Sequence, residues 1–177
     1  MDWGVTVEAI FKRRSIRKFT GESIAQEDVR KILQAGMAAP SAKNNQDWVF
    51  ILIDSGEDIE EFIRVHPNAF AMRTAALNIL VCADKTKNLD PELEWGVFNA
   101  CAAMENMLIM AAGLGYGSLW VGVSPDPKRI DCMRRICVLP EYITPVGLVC
   151  VGRAAKEKEP IDRYLEDAVF RGRYAER

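Results

Sequence analysis

Short apolar runs alternate with stretches whose apolar residues recur at helical spacing along the whole chain. Val49–Ile53 is continuous and rich in β-branched residues, the pattern of a strand buried on both faces. Leu77–Ala83, Leu119–Val123 and Val146–Val151 read as three further strands. Val5–Arg13 reads as a short helix. A second helix spans Gln26 to Ala38, with Glu27 and Asp28 in the first turn and Val29, Ile32, Leu33 and Met37 at helical spacing. Asp58–Arg64 is helical and ends at His66-Pro67, since the residue before a proline is pushed out of the helical region. Pro127–Cys137 is amphipathic, and Asp162–Arg171 reads as a last, charged helix.

The longest helix runs from about Glu92 to Leu114, and its second half, Ala100 through Ala112, is apolar almost all round. Such a helix has no solvated face. It is either the central core helix of a monomer or packs one face on a second subunit, and the two roles are compatible. Gly113-Leu114-Gly115-Tyr116-Gly117 ends it, because glycine tolerates the left-handed backbone of a helix terminus. Strands alternating with helices, without repeat or linker, predict a single α/β unit over residues 1–177, layered as a sheet-and-helix sandwich.

The length of 177 residues fits that one domain, and 49% apolar with 27% charged residues is ordinary globular composition. A formal net charge of -2 gives no global field towards nucleic acid or an anionic membrane, so any anion site must be local. The apolar runs fall far short of a membrane span and the N-terminus lacks a signal pattern, which predicts a soluble cytoplasmic protein with no nucleic-acid or membrane partner. Five cysteines without a C-x-x-C pair argue against a disulfide framework and against zinc or iron–sulfur ligation, and read as free buried thiols. With His66 the one histidine, the common hydrolase and metalloenzyme toolkits are missing. If the chain is an enzyme, a cofactor carries its chemistry.

Three clusters could hold one. Arg13-Arg14-Ser15-Ile16-Arg17-Lys18-Phe19 offers charge-assisted donors to a phosphate; in an extended segment Arg13, Ser15 and Arg17 would converge on one side while Arg14 and Ile16 point away. The alternative is a solvated basic stretch. Ala39 to Trp48, with Pro40, Ser41, Ala42, Lys43, Asn44, Asn45 and Gln46, is dense in amide and hydroxyl groups suited to a ligand with donor and acceptor edges, and Trp48 reads as the loop's anchor. Gly115-Tyr116-Gly117-Ser118-Leu119-Trp120-Val121-Gly122 brings bare backbone close to where a flat ligand could lie; following a helix and opening a strand, it is no dinucleotide fingerprint.

In this order and at these intervals the clusters resemble the nitroreductase family of FMN-dependent oxidoreductases. The likeness covers R-R-S-x-R-x-F at Arg13–Phe19, A-G-x-x-A-P-S-x-x-N-x-Q-x-W from Ala35 to Trp48, a core helix ending G-L-G, then L-W-x-G, a final strand ending at Gly152, and a late Arg163-Tyr164. The resemblance implies a nitroreductase-like α+β sandwich: a central, mostly antiparallel sheet flanked by helices, a long buried core helix and a homodimer of the small-subunit type. It implies that Arg13, Arg14, Ser15 and Arg17 hold the FMN phosphate, the ribityl chain and the N1/O2 edge, with Arg163 a further phosphate partner. Leu119, Trp120, Val121 and Gly122 would line the isoalloxazine, a backbone N–H near N5. Pro40, Ser41, Ala42 and Asn44 would reach the flavin of the other subunit, so that the FMN sites lie at the subunit interface.

The implied activity is reduction of electron-poor small-molecule acceptors (nitroaromatics, quinones or similar) by NADH or NADPH in ping-pong hydride transfer, with no catalytic side chain and no metal. More specialised flavin chemistry (reductive dehalogenation, enoate reduction, flavin fragmentation) and a flavin carrier without turnover are the alternatives. Two positions depart from the family pattern: Asp47 stands where many members have proline, and Arg153 where an aromatic is frequent. Trp95, Phe98 and Asn99 are positioned as pocket liners, with core packing the commoner role for each.

Overall fold

The computed structural model describes residues 6–87 and 95–174. Its strands are β1 (Trp48–Leu52), β2 (Leu77–Asp84), β3 (Gly117–Gly122) and β4 (Ile143–Gly152), and its α-helices are α1 (Thr6–Lys12), α2 (Gln26–Met37), α3 (Gly56–Val65), α4 (Trp95–Gly113) and α5 (Pro127–Ile136). The strands form one sheet in the order β1-β2-β4-β3, with every neighbouring pair antiparallel.

Alternation along the two central strands builds two cores. Leu80 and Cys82 of β2 with Leu148 and Cys150 of β4 face a layer containing Phe62 of α3, Met72 and Met133 of α5. Ile79, Val81, Val149 and Val151 face the other way, onto Ile32 of α2 and Met104, Met107 and Leu108 of α4. Each fully buried large apolar side chain stabilises the sandwich by about 1.5–3 kcal/mol. The continuous apolar runs of β2 and β4 are therefore those of strands covered on both faces. Gly147 allows α4 to approach: a Cβ there would stand 2.7 Å from Met104 Cε.

β1 departs from its expected burial. It is an edge strand, half-buried along most of its length with Leu52 exposed, because only β2 flanks it. The expected last helix at 162–171 is also absent; a single 3-10 turn at Glu166–Ala168 takes its place, and every residue from Ala155 to Tyr174 is exposed. A ten-residue helix without a surface to pack on is marginal in water, and this chain supplies none. Remaining differences are at element ends. Ser55 accepts from the Asp58 N–H (3.3 Å) and starts α3 two residues earlier than expected. Val5 and the expected first turn of the core helix at Glu92–Glu94 lie outside the described residues.

Candidate functional site

Arg13 still belongs to the helical run, its N–H donating to the Ala9 carbonyl at 2.9 Å. The chain then turns extended and is stitched along the outer edge of β3. Ser15 bridges Ser118 in parallel, the Ile16 N–H donates to the Ser118 carbonyl (2.9 Å), and Phe19 bridges Ala154. Ile16 is buried so tightly over Gly117 that a Cβ there would lie 2.8 Å from it, which requires glycine. This path leaves Arg13 and Arg14 on the rim of a cleft of about 510 Å³ whose floor is Tyr116-Gly117-Ser118.

Five cations line the cleft (Lys12, Arg13, Arg14, Arg153, Lys158) against two carboxylates, Glu157 and Glu159. Arg13 Nε sits 3.3 Å from Glu105 Oε1 of α4, which steadies its guanidinium. Lys158 Nζ donates to the Ser15 carbonyl at 2.8 Å, and Arg14 donates to the Glu159 carbonyl. The segment after β4 is thereby strapped across the basic cluster. Arg13 and Arg14 share the cleft, contrary to the expected alternation, because strand geometry begins only at Ser15. Arg17 and Arg163 are exposed, and neither they nor the half-buried Ser15 are among the lining residues. Lys158 was not legible as a site residue, since it meets Ser15 across 143 positions of sequence.

The outer edge of β3 continues this surface. The Ser118 carbonyl faces outwards to Ile16, and the Gly122 carbonyl accepts from Arg129 Nη1 at 3.3 Å. Strand periodicity puts the N–H and C=O of Trp120 on the same edge, between those two. Leu119 and Val121 turn their side chains into the core, whereas Trp120 and Gly122 are half-buried. Of the four expected liners, then, Trp120 and Gly122 turn backbone to this edge, whereas Leu119 and Val121 direct their backbone at β4 and their side chains into the core.

The amide-rich cluster, Ala39 to Trp48, lies at the opposite end of α4. Ser41 leads into a 3-10 turn at Ala42–Asn44, and Lys43, Asn44 and Gln46 all have positive φ (52°, 57° and 49°). The Gln46 N–H donates to Ser41 Oγ at 3.0 Å, and the Ala42 N–H to Asn99 Oδ1 at 2.9 Å. Asp47 is fully buried and accepts from Asn99 Nδ2 at 2.9 Å. Trp48 anchors the loop against Ala39 and Ala103. Asn99 is buried as expected of a packing residue, but Trp95 and Phe98 are exposed, their rings 6.2 Å apart on the surface beside the loop. From Asn99 to Ala112, which lines the basic cleft, α4 advances about 20 Å. One copy of the chain thus holds the loop and the cleft well apart.

The remaining reactive groups stay outside these regions. All five cysteines are free, but only Cys82, Cys132 and Cys150 are fully buried, Cys101 and Cys137 being half-buried; burial pushes the Cys82 and Cys150 thiols up to about 12 and that of Cys137 to about 11. His66 caps α3 and is buried edge-on against Phe62; burial, with Arg129 nearby, lowers its pKa. Among the described residues there is no group of three or more His, Cys, Asp or Glu able to hold a metal, and no helix is long and apolar enough to cross a membrane.

An antiparallel sheet backed by a buried helix, with a basic cleft at its open edge, defines a layered sheet-and-helix protein. More narrowly, the chain belongs to the Nitroreductase family, whose sequence model matches residues 10–66 and 60–153. A relative from Archaeoglobus fulgidus is 36% identical over 171 residues, covering 95% of this chain and 98% of its own; it carries the provisional name NADH dehydrogenase/NAD(P)H nitroreductase. A solved structure from Parabacteroides distasonis under the same provisional name superposes with a TM-score of 0.89 at 29% identity, over 96% of this chain and 98% of that one. An FMN-dependent nitroreductase from Clostridium difficile R20291 superposes at 0.84 with 26% identity, over 95% and 99%.

Proposed function

We propose that the protein is an FMN-dependent oxidoreductase that takes reducing equivalents from NAD(P)H and passes them to electron-poor acceptors such as nitroaromatics or quinones, the two substrates using the same space in turn. The observation that carries this reading is the cationic cleft at the open edge of β3, where charged donors and exposed strand backbone meet. Its residues fit a phosphorylated flavin: Arg13 and Arg14, with Lys158 beside them, are charge-assisted donors for a phosphate. Beyond the stretch covered by Ile16, the edge groups of Trp120 can meet a flat ring system with donor and acceptor edges.

Bound FMN would supply the hydride chemistry. The chain's part is to hold it, orient it and stabilise negative charge on it, and no protein acid, base or nucleophile is required; His66 and the raised thiols are accordingly outside the cleft lining. Arg17 and Arg163, exposed in a single chain, join the site in this reading through a second copy or on ligand binding. A homodimer is part of the same reading. The Pro40-Ser41-Ala42-Asn44 loop and the basic cleft lie at opposite ends of α4, about 20 Å along its axis, which supports a site in which the loop of one copy meets the flavin held by the other. The exposed Ile10 and Phe11 of α1, and Ile161, Tyr164, Leu165 and Val169 beyond β4, offer apolar surface for that contact.

The test is spectroscopic. Purified protein should carry flavin absorbance that bleaches anaerobically with NADH or NADPH and returns on adding a nitroaromatic or quinone. A preparation that binds no FMN, or whose flavin neither nicotinamide bleaches, overturns the proposal. Light scattering that gives a monomer mass for flavin-loaded protein removes the shared site.

A further inference from the structure

We propose that Asp47 and Asn99 form a buried positioning pair that presets residues 41–46 in the shape they offer to the cofactor; this rests on the FMN reading above.

The loop is an improbable conformation for its sequence. Three residues with side chains, Lys43, Asn44 and Gln46, occupy the left-handed region within four positions, and none is glycine. Such backbone persists only where its surroundings over-determine it. The internal bonds, Gln46 N–H to Ser41 Oγ and Asn45 N–H to the Ala42 carbonyl, close the turn without fixing it to the rest of the fold.

Apart from a long contact from Lys87 Nζ to the Gln46 carbonyl (3.4 Å) at the exposed surface, the attachment is supplied by one buried polar relay. Asn99 spends both ends of its amide: Oδ1 accepts the Ala42 N–H at 2.9 Å, and Nδ2 donates to Asp47 Oδ1 at 2.9 Å. The second oxygen of Asp47 faces Asn45 Nδ2 at 3.4 Å, and its backbone carbonyl accepts the Asp84 N–H at 2.7 Å, which ties the loop to the end of β2. Asp47 is fully buried and Asn99 nearly so. Gly96 makes room for the carboxyl, since a Cβ there would lie 3.0 Å from Asp47 Oδ2 and 2.9 Å from Ala83 Cβ. A buried carboxyl facing two amides is a directional device, because its oxygens only accept and so dictate which way each amide points. That orientation presents Asn99 Oδ1 to Ala42, the residue next to Ser41 in the loop expected to meet the flavin.

The pair's polarity provides the test. Asn99→Asp turns a donor into an acceptor and sets two carboxyls against each other. Adding Asp47→Asn reverses the direction of the relay and restores both bonds: the amide introduced at position 47 donates to the carboxylate introduced at position 99, which still accepts from the Ala42 N–H. FMN release on dilution of the purified holoprotein is followed by the gain of flavin fluorescence, and amide exchange at residues 42–46 is measured in parallel. Asn99→Asp should weaken FMN retention by about ten-fold or more and speed exchange in the loop, and the double exchange should bring both to within about three-fold of wild type. Should Asn99→Asp fail to fold, Asn99→Ala, which deletes both bonds without adding charge, must still weaken FMN retention.

A loop that loosens with FMN retention unchanged overturns the proposal, as does a double variant no better than Asn99→Asp alone. Wild-type protein that holds no FMN refutes the cofactor reading instead, and the amide exchange of the same variants then still decides whether the pair sets the loop.

Discussion

The two ends of α4 handle polar groups in opposite ways. At the Asn99 end, the Asp47 carboxyl and the Asn99 amide are buried and hydrogen-bonded within the protein, and a strained loop is held as a result. At the Ala112 end, five cations and two carboxylates line an open cleft; Glu8, Glu105 and Glu22 pair with Lys12, Arg13 and Arg153 from outside the lining, and Arg14 and Lys158 are left with backbone carbonyls. Satisfied, dehydrated polar groups set shape; cations in exposed pairs at a cleft can exchange those partners for an anion. The first kind of site is sensitive to the geometry of its hydrogen bonds, the second to charge.

The largest effect should come from emptying the open end. Replacing Arg13 and Arg14 together with Ala removes two charged donors, which weakens FMN binding at least about 100-fold in a fluorescence titration, while the melting temperature of the flavin-free protein barely moves. A large loss of stability would mean that this end, too, is structural. At the closed end the balance reverses: Asn99→Ala deletes two buried bonds and costs about 2–4 kcal/mol, read as a lower denaturation midpoint in urea.

A smaller effect separates the ends by screening. Raising potassium chloride from about 50 to about 500 mM should weaken FMN binding several-fold and leave amide exchange in the 41–46 loop unaltered, because exposed charges are screened and buried bonds are not. Smaller again is the effect of His66, which belongs to neither end. Its folded pKa lies below the ordinary 6.5, so the unfolded chain binds the extra proton first; its contribution is complete above that value and is lost as pH falls towards the folded pKa. Melting curves across that window should flatten in His66→Gln; an unchanged slope would assign the pH dependence to other groups. The least effect of all is expected from thiol reagents: Cys82 and Cys150, held near 12, should remain unlabelled at pH 8 in the native protein.

Much of the architecture was readable from patterning because it depends on local periodicity. The runs of β2 and β4, the face of α2 and the all-round apolar α4 each announce how many sides will be covered. The edge position of β1 escaped that logic, since an apolar run does not say whether a neighbour lies on both flanks. The stretch 162–171 has helical composition, yet composition stabilises a helix only when a surface takes its apolar side, and in one chain none does. In the site, Arg13, Ser15 and the Pro40–Asn44 loop stood out as clustered chemistry. Arg14 was expected to point away because alternation was assumed to start two residues too early.

The order of helices and strands, the near-neutral charge and the basic and amide-rich clusters were thus determined by the sequence alone, since each is a property of neighbours along the chain. Which residues meet was decided by tertiary structure. Lys158 reaches Ser15 across 143 positions, and Asn99 reaches Asp47 across 52, contacts that depend on strand register and on how closely α4 settles against the sheet. Hydrogen bonds are short-ranged and directional, so packing must bring their partners together before the chemistry of either can be expressed.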